Sequence, residues 1–320
     1  ISGGKAHITD ASNASRTQLF NLETLRWDAR LLELFEVPES ALPTITSCYG
    51  HLADADPAAF EDIAAPITGM AGDQQAALFG QLAFSAGEAK CTYGTGAFLL
   101  RNTGSEIVAT DPQLISTVAW VDPSGKPTYA LEGAVFVAGA AIQWLRDGLQ
   151  MISAAKDLEP LALTVPDNGG VYFVPALAGL GSPFWDPNVR GSFFGITRGT
   201  TKAHFARATF EALAFQVRAL VDAMNAAVGD TIVELKTDGG VVNSNLMLQI
   251  QANVLGRTVS KPANLDTTGL GAAFLAGLGA GVWASTDDLA QVAGARVEPN
   301  GSLEPEYQRW LQAVAAARSW

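Results

Sequence analysis

The chain has 320 residues, of which 48% are hydrophobic and 16% charged, with a formal net charge of −12. That apolar share excludes a disordered chain and suffices for a sizeable core, on the scale of about two domains of roughly 150 residues each. The acidic balance argues against unspecific binding to nucleic acid or to an anionic membrane surface, while leaving room for a local phosphate pocket.

Two cysteines, Cys48 and Cys91, are too few for a disulfide framework or a metal cluster and point to a reducing, cytoplasmic setting. The histidines His7, His51 and His204 are not spaced as metal ligands. No charged leader precedes an apolar core, and the most apolar stretch, residues 270–284, is glycine-rich and shorter than a membrane span. The first residue is Ile1 rather than Met, which predicts a fragment or a processed product whose upstream part is absent.

In chain order, residues 1–40 read as turns and short helices. Thr9-Asp10-Ala11-Ser12-Asn13-Ala14-Ser15 is dense in capping residues, and Leu31, Leu32, Leu34 and Phe35 predict a short helix ending before Pro38. The acidic, alanine-rich run 51–65 reads as a surface loop. A helix follows from residue 73 to about 83, then a connection at Ala86-Gly87-Glu88, and a domain boundary is placed between 84 and 85. Strands at 89–93, 97–101, 115–120 and 127–131 predict an antiparallel meander. Beyond it come a helix (135–149), a buried strand (171–174) and a long structured loop (179–198). The clearest helix spans 203–227, where Phe210, Leu213, Val217, Leu220 and Met224 recur at alternating spacings of three and four. A strand (232–237), helix (243–255), strand (258–260), helix (270–282) and final helix (307–318) complete the chain. This order predicts an α/β fold, a mixed sheet flanked by helices.

Three glycine-marked turns stand out as sites of chemistry. Asp73 lies between a glycine pair, Gly69 and Gly72, and two amides, Gln74 and Gln75. It can cap the following helix or act as general base toward a substrate hydroxyl. Gly94-Thr95-Gly96 is either a plain hairpin turn or a cradle of backbone N–H groups for a polyphosphate. Asp238-Gly239-Gly240, between a strand and a helix, is either a helix-start turn or a set of free donors aimed at an anion. Neither of the last two is a Walker A loop or a dinucleotide fingerprint, and no Gly-x-Ser-x-Gly elbow supports a hydrolase. The three turns are expected to converge on a nucleotide and a small polyol.

The whole stretch Gly69-Met70-Ala71-Gly72-Asp73-Gln74-Gln75-Ala76-Ala77-Leu78-Phe79-Gly80-Gln81 resembles the acceptor-site motif of the FGGY carbohydrate kinases, in the form of the members that phosphorylate glycerol. Thr92-Tyr93-Gly94-Thr95-Gly96-Ala97-Phe98-Leu99-Leu100, Ala130-Leu131-Glu132-Gly133-Ala134-Val135-Phe136 and Gly181-Ser182-Pro183-Phe184-Trp185-Asp186-Pro187 are similar to the same family. So are Ile142-Gln143-Trp144-Leu145-Arg146-Asp147 and the segment around Asn13-Ala14-Ser15-Arg16-Thr17, and the likeness covers essentially the entire chain. The resemblance implies actin-like, ribonuclease-H-like domains closing over a cleft. Residues 1–84 would be the end of the first domain and 85–320 the second, nucleotide-binding one. It implies ATP-dependent phosphorylation of glycerol to glycerol 3-phosphate with ATP and Mg2+, in a dimer or tetramer. No nucleic-acid partner and no membrane insertion are implied.

Carried over residue by residue, the likeness makes Asp73 the base, Gln74 and Phe98 glycerol contacts, and Thr95 a contact of the nucleotide phosphates. Gly139 and Gln143 would line the nucleotide site and Gly240 would approach the adenosine. Ser244 stands where the family has asparagine, with Asn243 or Asn245 as alternatives. No metal ligand is assigned in this chain. The acidic run between Tyr49 and Pro66 lacks the basic glycine-rich loop by which some bacterial members bind fructose 1,6-bisphosphate, which implies that this inhibition is absent. Another polyol or ketose kinase of the family, and a non-catalytic actin-like nucleotide-binding module, are the alternatives left open.

Overall fold

A computed structural model describes residues 1–108 and 113–320. Strand β1 (Ile8–Asp10) runs parallel to β4 (Thr44–Thr46), and between them lie helix α1 (Ala11–Ala14), the hairpin of β2 (Phe20–Asn21) and β3 (Arg26–Trp27), and helix α2 (Ala29–Leu34). β5 (Tyr49–Asp54) pairs antiparallel with β6 (Pro66–Gly69). The start of the acidic 51–65 run is therefore strand rather than loop. The apolar helix α8 (Thr267–Gly279) packs on this hairpin and supplies the surface that its half-buried side chains cover.

Helix α3 (Asp73–Gly80) leads into a seven-stranded mixed sheet. Its first four strands are β7 (Ala89–Tyr93), β8 (Ala97–Gly104), β9 (Ile115–Val121) and β10 (Pro127–Val135). After helix α4 (Gly139–Asp147), helix α5 (Leu158–Ala162) and the small hairpin of β11 (Tyr172–Val174) and β12 (Ser192–Phe194) comes the long helix α6 (Lys202–Val228). The chain then returns through β13 (Glu234–Asp238), α7 (Asn245–Leu255), β14 (Thr258–Pro262), α8, β15 (Ala293–Val297) and α9 (Glu304–Arg318). The sheet order is β15-β14-β13-β7-β8-β10-β9, with β14, β13 and β7 parallel and the other neighbours antiparallel.

Two further sequence expectations need correction. The four strands are not a simple meander, because β10 lies between β8 and β9. A tight turn at Asp122–Lys126 ties β9 to β10, whereas the link after Gly104 is too long to force β9 beside β8. The helix expected from 135 starts only at Gly139, because Glu132 to Val135 continue the ladder opposite Ala97 to Leu100.

Alternation along β7 and β8 divides two cores. Ala89, Cys91, Tyr93 and Leu99 face the cluster under α6 and α7, while Leu100 faces Leu78, Phe79 and Phe274 from α3 and α8. The α6 stripe of Phe210, Leu213, Val217, Leu220 and Met224 is buried in full, each residue at 2% exposure or less. Burying such a side chain contributes on the order of 2 kcal/mol, so packing rather than helix propensity holds α6. Its ends are capped by His204, whose Nδ1 accepts from Thr201 N at 3.0 Å, and by Gly229 in the left-handed region at φ +76°.

Candidate active site

Asp73 is the first residue of α3 and its carboxylate is exposed. The turn that presents it is held from three directions. Gly72 N donates to Ser12 Oγ at 2.9 Å, and Ser12 is itself fixed by the buried Asp10, which also accepts from Asn13 Nδ2 at 2.6 Å and from the Cys48 thiol at 3.2 Å. Gln75, buried, donates to Thr117 Oγ1 at 3.2 Å. Gly69 gives α8 its close approach, since a Cβ there would lie 2.4 Å from Ala276 N.

Asp73 itself accepts two bonds from Gln74: backbone N to Oδ1 at 2.8 Å and Nε2 to Oδ2 at 3.3 Å. The Gln74 amide oxygen takes a bond from Lys90 Nζ at 2.5 Å, and Nζ also donates to Thr92 Oγ1 at 2.9 Å. Lys90 is fully buried on β7. Burial lowers its pKa, and the nearby carboxylates of Asp238, Glu132 and Asp73 oppose that shift. Sequence reasoning missed this lysine; its signal was a charged residue at an inward position of a five-residue strand.

β7 ends in the Gly94-Thr95-Gly96 hairpin, and helix α4 docks on it. Ala138 N and Ala140 N donate to Thr95 O at 2.8 and 3.0 Å, and Gly139 N donates to Gly94 O at 2.9 Å. A Cβ on Gly139 would sit 2.5 Å from that carbonyl, so only glycine permits the contact. These bonds engage the carbonyls of the hairpin; its amide donors are not among them. Gly94 and Thr95 remain exposed at the tip.

Beside the hairpin lies a cavity of about 500 Å³ lined by Gly94, Gly139, Gln143, Gly240 and Ser244, together with Arg146, Lys156 and Glu159. Four of the sequence-assigned nucleotide residues therefore share one cavity. Thr95 stands at the hairpin tip and is not part of its lining. Phe98 is half-buried against the core that contains Leu78, Phe79 and Trp120. At the start of α7 itself, downstream of the Asp238-Gly239-Gly240 turn, two amides are engaged: Ser244 Oγ takes Met247 N at 3.0 Å and Glu159 takes Leu246 N at 2.8 Å. Ser244 is thus first a helix cap. Gly240 faces open space, with nothing among the described residues within 4 Å of a would-be Cβ.

An ion pair, buried at its carboxylate end, lies within electrostatic reach of Asp73. Arg16 meets Glu132 Oε1 at 2.6 Å, with the Glu132 side chain 4% exposed and that of Arg16 34%. Among the described residues Glu132 Oε2 has no hydrogen-bond partner. Burial pushes the Glu132 carboxyl above its ordinary pKa, with Arg16 foremost in opposing it.

The mixed sheet carries helices on both faces, with a glycine hairpin and a cavity at the strand ends, an α/β layer architecture. Among family models, the N-terminal domain of the FGGY carbohydrate kinases matches residues 2–80 and the C-terminal domain matches 89–280. The chain belongs to the FGGY family of carbohydrate kinases. It is 50% identical over 325 residues to a glycerol kinase of Nitratidesulfovibrio vulgaris, covering 100% of this chain and 65% of that protein. It is 48% identical over 328 residues to a glycerol kinase of Saccharolobus islandicus, covering 100% of this chain and 64% of that one. The crystal structure of Plasmodium falciparum glycerol kinase with ADP superposes with a TM-score of 0.89 at 34% identity, over 97% of this chain and 63% of that chain. The chain thus spans about 65% of the length of the curated relatives it matches.

Proposed function

We propose that the protein transfers the γ-phosphoryl group of ATP to a terminal hydroxyl of glycerol, giving glycerol 3-phosphate and ADP. One observation carries this reading. The single strand β7 serves both halves of the site: its Lys90, anchored on Thr92, donates to Gln74 of the Gln74–Asp73 pair, and its last residue Tyr93, with Gly94 just after it, lines the cavity. The likeness to glycerol kinases, one of them solved with ADP, supports glycerol and ATP as the substrates. A division of the chain between residues 84 and 85 belongs to the same proposal, supported by the matched ranges.

In this mechanism the adenosine occupies the cavity between α4 and α7, bordered by Gly139, Gln143, Gly240 and Ser244. The phosphates run toward the hairpin, with Thr95 at its tip. The glycerol carbons lie against Phe98, and Gln74 orients a hydroxyl toward Asp73. As that oxygen attacks the γ-phosphorus, a new O–P bond forms and the bond to the β–γ bridging oxygen breaks. The hydroxyl proton passes to the Asp73 carboxylate and ADP leaves with the bridging oxygen. No group of three or more His, Cys, Asp or Glu side chains that could hold a metal occurs among the described residues. Mg2+ bound with the nucleotide would neutralise charge on the transferring phosphoryl group.

The test is a substrate panel on the protein as its gene encodes it. Glycerol should exceed erythritol and xylulose in kcat/KM by ~10-fold or more, the scale that polar recognition of a small substrate supplies. A larger kcat/KM for either competitor overturns the glycerol assignment, and MgATP binding without phosphorylation of any polyol overturns the kinase reading.

A further inference from the structure

We propose that Lys90 is a positioning residue, which fixes the direction of the Gln74 amide and thereby holds the Asp73 carboxylate in its working orientation. The inference rests on Asp73 being the base of the reaction proposed above. A lysine ammonium has only hydrogens to give, so the Gln74 atom that meets Nζ at 2.5 Å must be the amide oxygen. The amide NH2 is then left on the side of Asp73, where it donates to Oδ2 at 3.3 Å. The backbone N–H of Gln74 holds the other oxygen, Oδ1, at 2.8 Å, so both carboxylate oxygens are gripped by one residue. Thr92 Oγ1, one pleat further along β7 at 2.9 Å, fixes where Nζ sits. Were the amide reversed, its oxygen would confront the carboxylate and its NH2 would confront the ammonium. Lys90 excludes that arrangement.

Nothing in the packing alone calls for a charge at this place. The side chain is wholly buried, and an unbranched apolar residue of similar volume would fill the same space without the desolvation of an ammonium. Asp238 Oδ2, the first of the carboxylates that steady this charge, is itself engaged by Gln81 Nε2 at 2.7 Å and Thr267 Oγ1 at 2.8 Å. Lys90 makes its side-chain hydrogen bonds to Gln74 and Thr92, not to those carboxylates. The donors are thus directed at the amide that reaches the base.

Two readouts test the assignment. In the 15N-labelled chain, the Gln74 side-chain amide should give two distinct proton signals in slow exchange with water. In Lys90→Met they should exchange as fast as those of an exposed glutamine such as Gln150. Kinetically, K90M in the protein as its gene encodes it should lower kcat by ~10-fold while leaving KM for ATP within about 2-fold, the pattern of a group that acts on the chemical step. In a Gln74→Ala background the same substitution should change kcat by less than about 2-fold, because the pair is coupled. Equal losses in both backgrounds, wild-type kcat in K90M, or an unchanged amide spectrum overturns the proposal. Should K90M fail to fold, Thr92→Val keeps the lysine but removes its second anchor; a fall in kcat supports the proposal and an unchanged kcat overturns it. If the wild-type protein phosphorylates no polyol, the function proposed above fails, and the amide spectrum still decides the orientation of Gln74 by itself.

Discussion

Asp73→Asn, in the protein as its gene encodes it, lowers kcat for glycerol phosphorylation by about 10³-fold, within the usual range for loss of a general base. ADP affinity, measured by calorimetry, stays within about 2-fold of wild type, since the nucleotide contacts are made elsewhere. Both expectations follow from placement. Asp73 projects from the first turn of α3, where, among the described residues, its exposed carboxylate is bonded only within its own Asp-Gln unit, and the cavity lining of α4 and α7 does not include it. Asparagine keeps the shape and still accepts from the Gln74 backbone N–H, so the turn persists while the proton acceptor is lost. Because Asp73 is the N1 residue and not the cap, the loss of a favourable charge at the helix start costs only a few tenths of a kcal/mol up to about 1 kcal/mol. Turnover near wild type would reject the base assignment.

Arg16→Met destabilises the fold by about 3 kcal/mol at pH 8, the low end for removing one partner of a buried ion pair, because a third of the guanidinium side is open to water. The substitution strands the Glu132 carboxylate, whose Oε2 already has no hydrogen-bond partner among the described residues. The pH dependence has a definite sign. The folded-state pKa of Glu132 is raised by burial, and loss of Arg16 raises it further. The folded variant therefore binds a proton more readily than the unfolded chain, and the deficit shrinks as pH falls through the folded-state pKa. Urea denaturation at pH 8 and pH 5 reads this directly: the midpoint difference between variant and wild type should be smaller at pH 5. A deficit independent of pH would place the effect in packing rather than charge.

Both Arg16 and Glu132 stood inside motifs that the sequence made visible, but nothing in their spacing shows that they meet. They are 116 positions apart, and the packing of α1 on β9, with β10 paired beside β9, brings them together. The same holds for Lys90. Its neighbours along the strand announce a buried β-segment, and a lysine there reads as an anomaly until α3 is laid across β7. By contrast, α6 was legible almost to its ends, since a five-residue apolar stripe at helical spacing has one burial solution. β15 escaped notice because Ala-Gly-Ala-Arg-Val has neither alternation nor β-branched content until its last residue, and its exposed edge position imposes little on it. The start of α4 was misplaced by four residues for a related reason: Glu132 to Val135 suits a strand or a helix by composition, and only the partner strand β8 decides. The glycines carried mixed meaning. Gly139 and Gly240 do border the cavity, whereas Gly69 accommodates α8, a distinction that depends on which backbone comes near.

The most direct test is a crystal structure of the protein as its gene encodes it, with ADP and glycerol bound. A terminal hydroxyl of glycerol should lie roughly 2.6–3.2 Å from an Asp73 carboxylate oxygen, with the ADP base in the cavity bordered by Gly139, Gln143 and Gly240 and its phosphates directed at the Gly94–Gly96 hairpin. ADP bound away from that cavity, or glycerol held out of reach of Asp73, would contradict it.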